Sequence, residues 1–159
     1  MSSESPQPEV LVRRALDGQR LLAQVADQDA GANILFLGTT RRTTGSDLTE
    51  GLDYEAHEPM AAAALERLAV EALKRFALTS CAIEHRLGWV PAGEASIAVA
   101  LSSPHRRAVF AAVEWLMERI KAEVPIWKCA AGEDGSREWV HPGDMRGVAA
   151  DPAAPGGSP

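Results

Sequence analysis

Lysine is scarce in this chain. Only three occur in 159 residues, Lys74, Lys121 and Lys128, and the last two bracket the stretch KAEVPIWK. Arg carries the rest of the side-chain positive charge. The two residue types are different tools. Arg is a permanently charged fork that grips carboxylate and phosphate, whereas Lys is a compact amine whose pKa falls on desolvation, so it can donate a proton, accept one or attack. Lys74 reads as part of an ordinary solvated helix face. Lys121 and Lys128 are the pair whose chemistry needs a reason, with an Arg- and Ala-rich composition as the bland source of the same scarcity.

Spacing says how the pair could meet. Val113, Met117 and Lys121 recur every four residues and so share one helical ridge. Lys121 then continues a row of core side chains near a helix C-terminus, with its amine partly solvated. Desolvation and neighbouring Arg charges would lower its pKa, while the helix C-terminus favours the cation. Lys128 lies past Pro125 on an outgoing strand. Trp127 points to the opposite face and can pack inward. Because Pro125 turns the chain, the amines either converge on one pocket or sit apart on the surface.

Two further basic groups stand out. Arg41 and Arg42 lie in TTRRTTGSD, a loop after a buried strand, either lining a site at a sheet edge or simply solvated. His105, Arg106 and Arg107 follow SSP, where Ser103 and Pro104 read as N-cap and first helical residue. A helix start presents free N–H groups and the positive end of the dipole, which favour phosphate or carboxylate. Cations there are unfavourable by about 0.3–1 kcal/mol each. Three together make poor sense for stability and good sense for holding an anion.

These groups describe a pocket for an anionic small molecule, with two amines for acid–base or covalent work. Cys81 and Cys129 lack metal-ligand spacing, and no Gly-rich phosphate loop is present, so neither metal nor cofactor is expected.

The elements that must position these residues are legible from pattern. Glu9–Arg14 can form a short strand and Asp17–Gln28 a short helix. Ala32–Gly38 is a buried strand, and Leu52–Ala56 another. Pro59 opens a helix to Phe76. Ser80–Gly88 and Glu94–Leu101 are strands joined by the turn VPAG. A long helix follows, with Val109, Phe110, Val113, Leu116, Met117, Ile120 and Val124 as its apolar stripe, and Pro125 ends it. IWKCA and REWV read as a hairpin. The class is α+β, a mostly antiparallel sheet with packed helices.

The length fits one domain, residues 9–147, between disordered segments 1–8 and 148–159. A net charge of −6 argues against nucleic acid as partner. No apolar run reaches membrane-spanning length and no signal peptide is apparent, which points to the cytoplasm.

GANILFLGTTR, YEAHEPM, SSPHR, IKAEVPIWK and the GEDGSREWV hairpin occur in order with matching separations from about Gly31 to Val140. This set resembles the catalytic (large) subunit family of molybdopterin synthase. The resemblance implies an α/β hammerhead fold and a homodimer with a small ubiquitin-like sulfur-carrier subunit on each copy, a heterotetramer. It implies sulfur transfer from a thiocarboxylate on the carrier's C-terminal Gly-Gly tail to cyclic pyranopterin monophosphate, giving the molybdopterin dithiolene. Lys121 and Lys128 match the family's active-site lysines, the first expected in proton transfer or covalent work, the second in positioning. Arg41, His105 and Arg106 match its anion-binding positions. Departures are His57 for a frequent Tyr, Ile126 for a frequent Phe, and the extra charge of Arg107. Arg146, in HPGDMR, receives no role. Cys129 offers a persulfide route as an alternative chemistry. The competing class is a non-catalytic anion-binding or carrier-docking module of the same fold.

Overall fold

The computed structural model describes residues 9–140. The expected terminal segments 1–8 and 148–159, the last residues of the expected domain, and Arg146 lie outside them. Chain order gives β1 (Leu11–Val12), α1 (Gly18–Val25), β2 (Ala32–Thr39), β3 (Thr43–Thr44), β4 (Asp47–Ala56), α2 (Glu58–Arg75), β5 (Ser80–Arg86), β6 (Gly88–Pro91), β7 (Ala95–Ser103), α3 (Arg106–Glu123), β8 (Ile126–Gly132) and β9 (Arg137–Val140). β1 pairs parallel with β5, and the other pairings are antiparallel. The α+β expectation holds.

The first sheet has the order β1-β5-β7-β2. Its centre is β7, buried from Ser96 to Ser103 and sorted by the two-residue period of a strand. Ala98 and Ala100 face α1, where small side chains let Leu21 and Val25 approach closely. Ile97, Val99 and Leu101 face the other way, into the main core with Leu65 and Leu68 of α2 and Leu116 of α3. Asp17 caps α1 by accepting from the Arg20 N–H at 3.1 Å. Glu84 of β5, buried, pins that side of the molecule by pairing with Arg14 at 3.0 Å and with Arg20.

The second sheet runs β3-β4-β8-β9, with β6 also on β4. Gly88 makes the transfer between sheets. Its φ of +81° is a left-handed value that favours glycine, and it turns the chain from β5 into β6, where Val90 pairs with Leu52. The expected VPAG turn is therefore shifted: Val90 and Pro91 belong to β6, and Ala92 and Gly93 make the turn. The loop expected over Thr39–Thr44 is also narrower. β2 runs through Thr39 and β3 takes Thr43 and Thr44, leaving Thr40–Arg42 between them.

The long helix starts later than expected. Ser103 is still the last residue of β7, its carbonyl accepting from the Gly31 N–H at 3.0 Å, so it cannot serve as N-cap. His105 is the N-cap, without a side-chain capping bond, and α3 begins at Arg106. Phe110 leaves the expected core stripe and is 60% exposed, while Ala112 takes a buried place. Trp127 is likewise 40% exposed rather than packed inward, because the inward face of β8 there is that of Ile126 and Lys128. No helix among the described residues is long and apolar enough to cross a membrane.

Candidate active site

Tyr54 on β4 stands opposite Lys128 on β8 in the antiparallel register. Register partners project to one face, so the Lys128 stem lies beside the Tyr54 ring. Pro125 turns the chain between α3 and β8, bringing Lys121, on the last turn of α3, to the same opening. The two lysines line one cavity of about 100 Å³ together with Met117, Tyr54, His85 and Ser96. The remaining wall is aliphatic, from Ile97, Ile120, Val124 and Ile126.

The convergence allowed by Pro125 is present, but the solvation differs from expectation. Lys121 is exposed at the mouth and Lys128 is half-buried beneath it. The ridge that carries Lys121 runs out at the end of the helix, whereas β8 passes under the pocket. Burial, then the charge of Lys121, then that of Arg41, hold the Lys128 amine below its ordinary range. It is therefore Lys128 whose neutral form the surroundings favour.

The floor was not singled out from sequence. His85 is 7% exposed, and its Nδ1 lies 2.9 Å from the Arg86 carbonyl oxygen. A carbonyl only accepts, so Nδ1 carries the proton. Burial pushes the imidazole pKa down to about 4, leaving the ring neutral at physiological pH. The ring meets Tyr54 edge-on, centroids 5.1 Å apart and planes at 69°. Burial also raises the Tyr54 phenol above its usual range. The available signal was the pair Glu84–His85 inside the apolar strand SCAIEHR. Two adjacent buried polar residues on a strand must look to opposite faces, one to Arg14 and Arg20 and one to this pocket.

Arg41 is exposed and makes no ion pair with the described residues, so its charge acts on Lys128. Its neighbour Arg42 is engaged with Glu133 at 3.5 Å. Thr40, buried at the base of the loop, fixes the start of this segment through Thr40 N–H to Glu94 O at 2.9 Å and Gly93 N–H to Thr40 O at 2.7 Å.

His105, Arg106 and Arg107 lie elsewhere. With Gly31, Pro104 and Phe110 they line an open cleft of about 570 Å³ at the start of α3. Gly31 is needed there, since a Cβ would run into the Pro104 carbonyl oxygen. Arg106 and Lys121 stand at opposite ends of the same helix, roughly 22 Å apart at ~1.5 Å rise per residue. Within one copy the fold joins Arg41, Lys121 and Lys128, and it does not bring His105 or Arg106 to them.

The family described as MoaE protein matches residues 11–123. The chain belongs to the MoaE family. Arg41, His105, Arg106 and Lys121 fall inside the matched residues, and Lys128 lies just past them. The MoaE assignment agrees with individual relatives. The molybdopterin synthase catalytic subunit of Bacillus subtilis (strain 168) is 39% identical over 130 residues, covering 82% of each chain. That of Aspergillus oryzae is 43% identical over 124 residues, 78% of this chain and 69% of the relative. The crystal structure of molybdopterin synthase from Staphylococcus aureus superposes with a TM-score of 0.78 at 32% identity, covering 83% of this chain and 96% of that one. The family inferred from the ordered motifs and the expected fold class are both correct.

Neither thiol of this MoaE chain is presented to the lysine cavity. Cys129, next to Lys128, is 1% exposed with its sulfur 3.9 Å from the Ala130 carbonyl. Burial pushes the Cys81 thiol up to about 12, far from the thiolate that sulfur chemistry requires.

Proposed function

We propose that this chain is the catalytic subunit of a molybdopterin synthase. It takes sulfur from the C-terminal thiocarboxylate of a small ubiquitin-like carrier and delivers it to cyclic pyranopterin monophosphate, building the dithiolene. The observation that carries the reading is the shared cavity of Lys121 and Lys128, with the deeper amine held below its ordinary pKa. Lys121 and Arg41, charged and solvent-facing, would draw in and hold the thiocarboxylate. Lys128, whose amine is held below its ordinary range, would accept or relay a proton, the role the sequence reading gave to Lys121. A non-catalytic docking module has no use for such an amine.

His105 and Arg106 fit the substrate phosphate. The cleft at the start of α3 has the size of a small-molecule site, and the exposed Phe110 adds an aromatic face for a flat ring. Because one copy holds the two halves apart, a homodimer must join the α3 start of one copy to the lysine cavity of the other. With a carrier on each copy the assembly is a heterotetramer. The reaction belongs in the cytoplasm, where Cys81 and Cys129, both free, stay reduced.

Incubating the chain with thiocarboxylated carrier and cyclic pyranopterin monophosphate should yield dithiolene product. Lys128→Ala should abolish turnover while leaving carrier affinity nearly intact. Normal turnover in that variant removes the assignment.

A further inference from the structure

The floor of the lysine cavity holds a polar atom that the proposed reaction does not yet use. His85 Nδ1–H is spent on the Arg86 carbonyl, so Nε2 of the neutral ring is a lone-pair acceptor. No described residue donates to it. Buried acceptors are normally paired, and leaving one unpaired costs roughly 1–3 kcal/mol. Nε2 is nevertheless absent from the sealed, unsatisfied atoms, which are Thr40 Oγ1, Arg86 Nε and Ser102 Oγ. With Nδ1 turned to the backbone and His85 part of the cavity wall, Nε2 is the ring nitrogen left to face the cavity.

We infer that His85 is a binding residue of the lysine cavity, its Nε2 accepting a hydrogen bond from an N–H group of the molecule that enters. This rests on the reading of the cavity as the sulfur-transfer site. Lys121 at the mouth recognises negative charge, and the floor recognises a donor. A peptide end carrying a terminal carboxylate or thiocarboxylate has both, the anion and the amide N–H of its last residue. A pterin also offers ring and amino N–H groups. At about 100 Å³ the cavity is small for a ligand site, which favours a narrow chain end over a bicyclic ring bearing a phosphate. The ring contact with Tyr54 holds the imidazole in this orientation.

The test uses the assembled chain with the carrier in its unreactive carboxylate form, and separately with cyclic pyranopterin monophosphate. His85→Phe keeps the ring packing and removes the acceptor. It should weaken one of the two ligands about tenfold, and His85→Gln, whose amide oxygen can accept from a similar position, should recover most of the loss. Weakened carrier with unchanged substrate identifies the tail amide as donor, and the converse identifies the pterin. Unchanged affinity for both overturns the inference. So does equal damage in the Phe and Gln variants, which marks a packing role. Should either variant fail to fold, the ¹⁵N shift of His85 Nε2 in the unmutated protein decides: it should move upfield on saturation with one ligand, and a static signal with both overturns the inference. Dithiolene formation by the unmutated protein is measured alongside. Its absence would sink the sulfur-transfer reading itself, whereas its presence with an indifferent His85 sinks only this step.

Discussion

Lys128 is the residue on which burial and neighbouring charge act in the same direction. A half-buried ammonium loses hydration, and two nearby cations, Lys121 and Arg41, raise its energy further. Each effect favours the neutral amine, so its midpoint should lie below the ordinary 10.5 and the neutral fraction at a given pH should be larger than for a free lysine. Because the chain has only three lysines, the Cε signals of all three can be followed by NMR. The expected result is a Lys128 midpoint below the ordinary 10.5. Arg41→Ala should raise the Lys128 midpoint by removing repulsion, and Lys121→Ala should raise it more. A Lys128 midpoint that ignores both changes would show that burial acts alone. If the reaction needs the neutral amine, the alkaline-rising limb of the rate should move to higher pH in Arg41→Ala by the same amount.

At the scale of elements, two short features place the site. Pro125 sends the chain from α3 into β8, and Gly88 sends it from the first sheet into the second, opposite Tyr54 in the register. Nothing stands within ordinary contact of a side chain at Gly88 except the tip of Arg13 at 3.9 Å, so its identity is required by the backbone alone. Gly88→Ala should cost about 1–2 kcal/mol through the left-handed conformation, a fall in Tm of about 2–8 °C for a chain of this length. An unchanged Tm would mean that the turn relaxes freely. Sequence pattern revealed the Pro125 break, because a proline there cannot continue the helix before it. It did not reveal the Gly88 pivot, since SCAIEHRLGWV reads as one strand and a turn until the partner of Val90 is known. The same limit explains α3. Ser103 and Pro104 look like a helix start, but the β2 ladder keeps Ser103 extended. Phe110 fits the apolar period, yet it faces the open cleft. His85 was missed because a polar residue in an apolar strand has no visible partner until strands from four places in the chain form one wall.

For the whole molecule, the decisive length is that of α3, an 18-residue rod with a basic start and a lysine at its last turn. A rigid helix of that kind cannot bend its ends together, so motion within one copy does not unite Arg106 with Lys128. Two copies related by a two-fold axis can do so twice, since whatever surface one offers the other returns. This predicts complementation. A Lys128→Ala copy and an Arg106→Ala copy should each be nearly inactive as homodimers, because every shared site lacks one group. When the two are mixed and re-equilibrated, half the dimers are hybrids. In each hybrid one site carries both substitutions and the other carries neither. Activity should therefore recover to about a quarter of the unmutated level, the proportion that two-fold symmetry dictates. A mixture that stays as inactive as its components would show that both groups act within one copy, and the α3 cleft would then have to serve something other than the lysine cavity. Recovery near a quarter would fix the active unit as the dimer, with the carrier's tail entering one copy and the substrate phosphate held by the other.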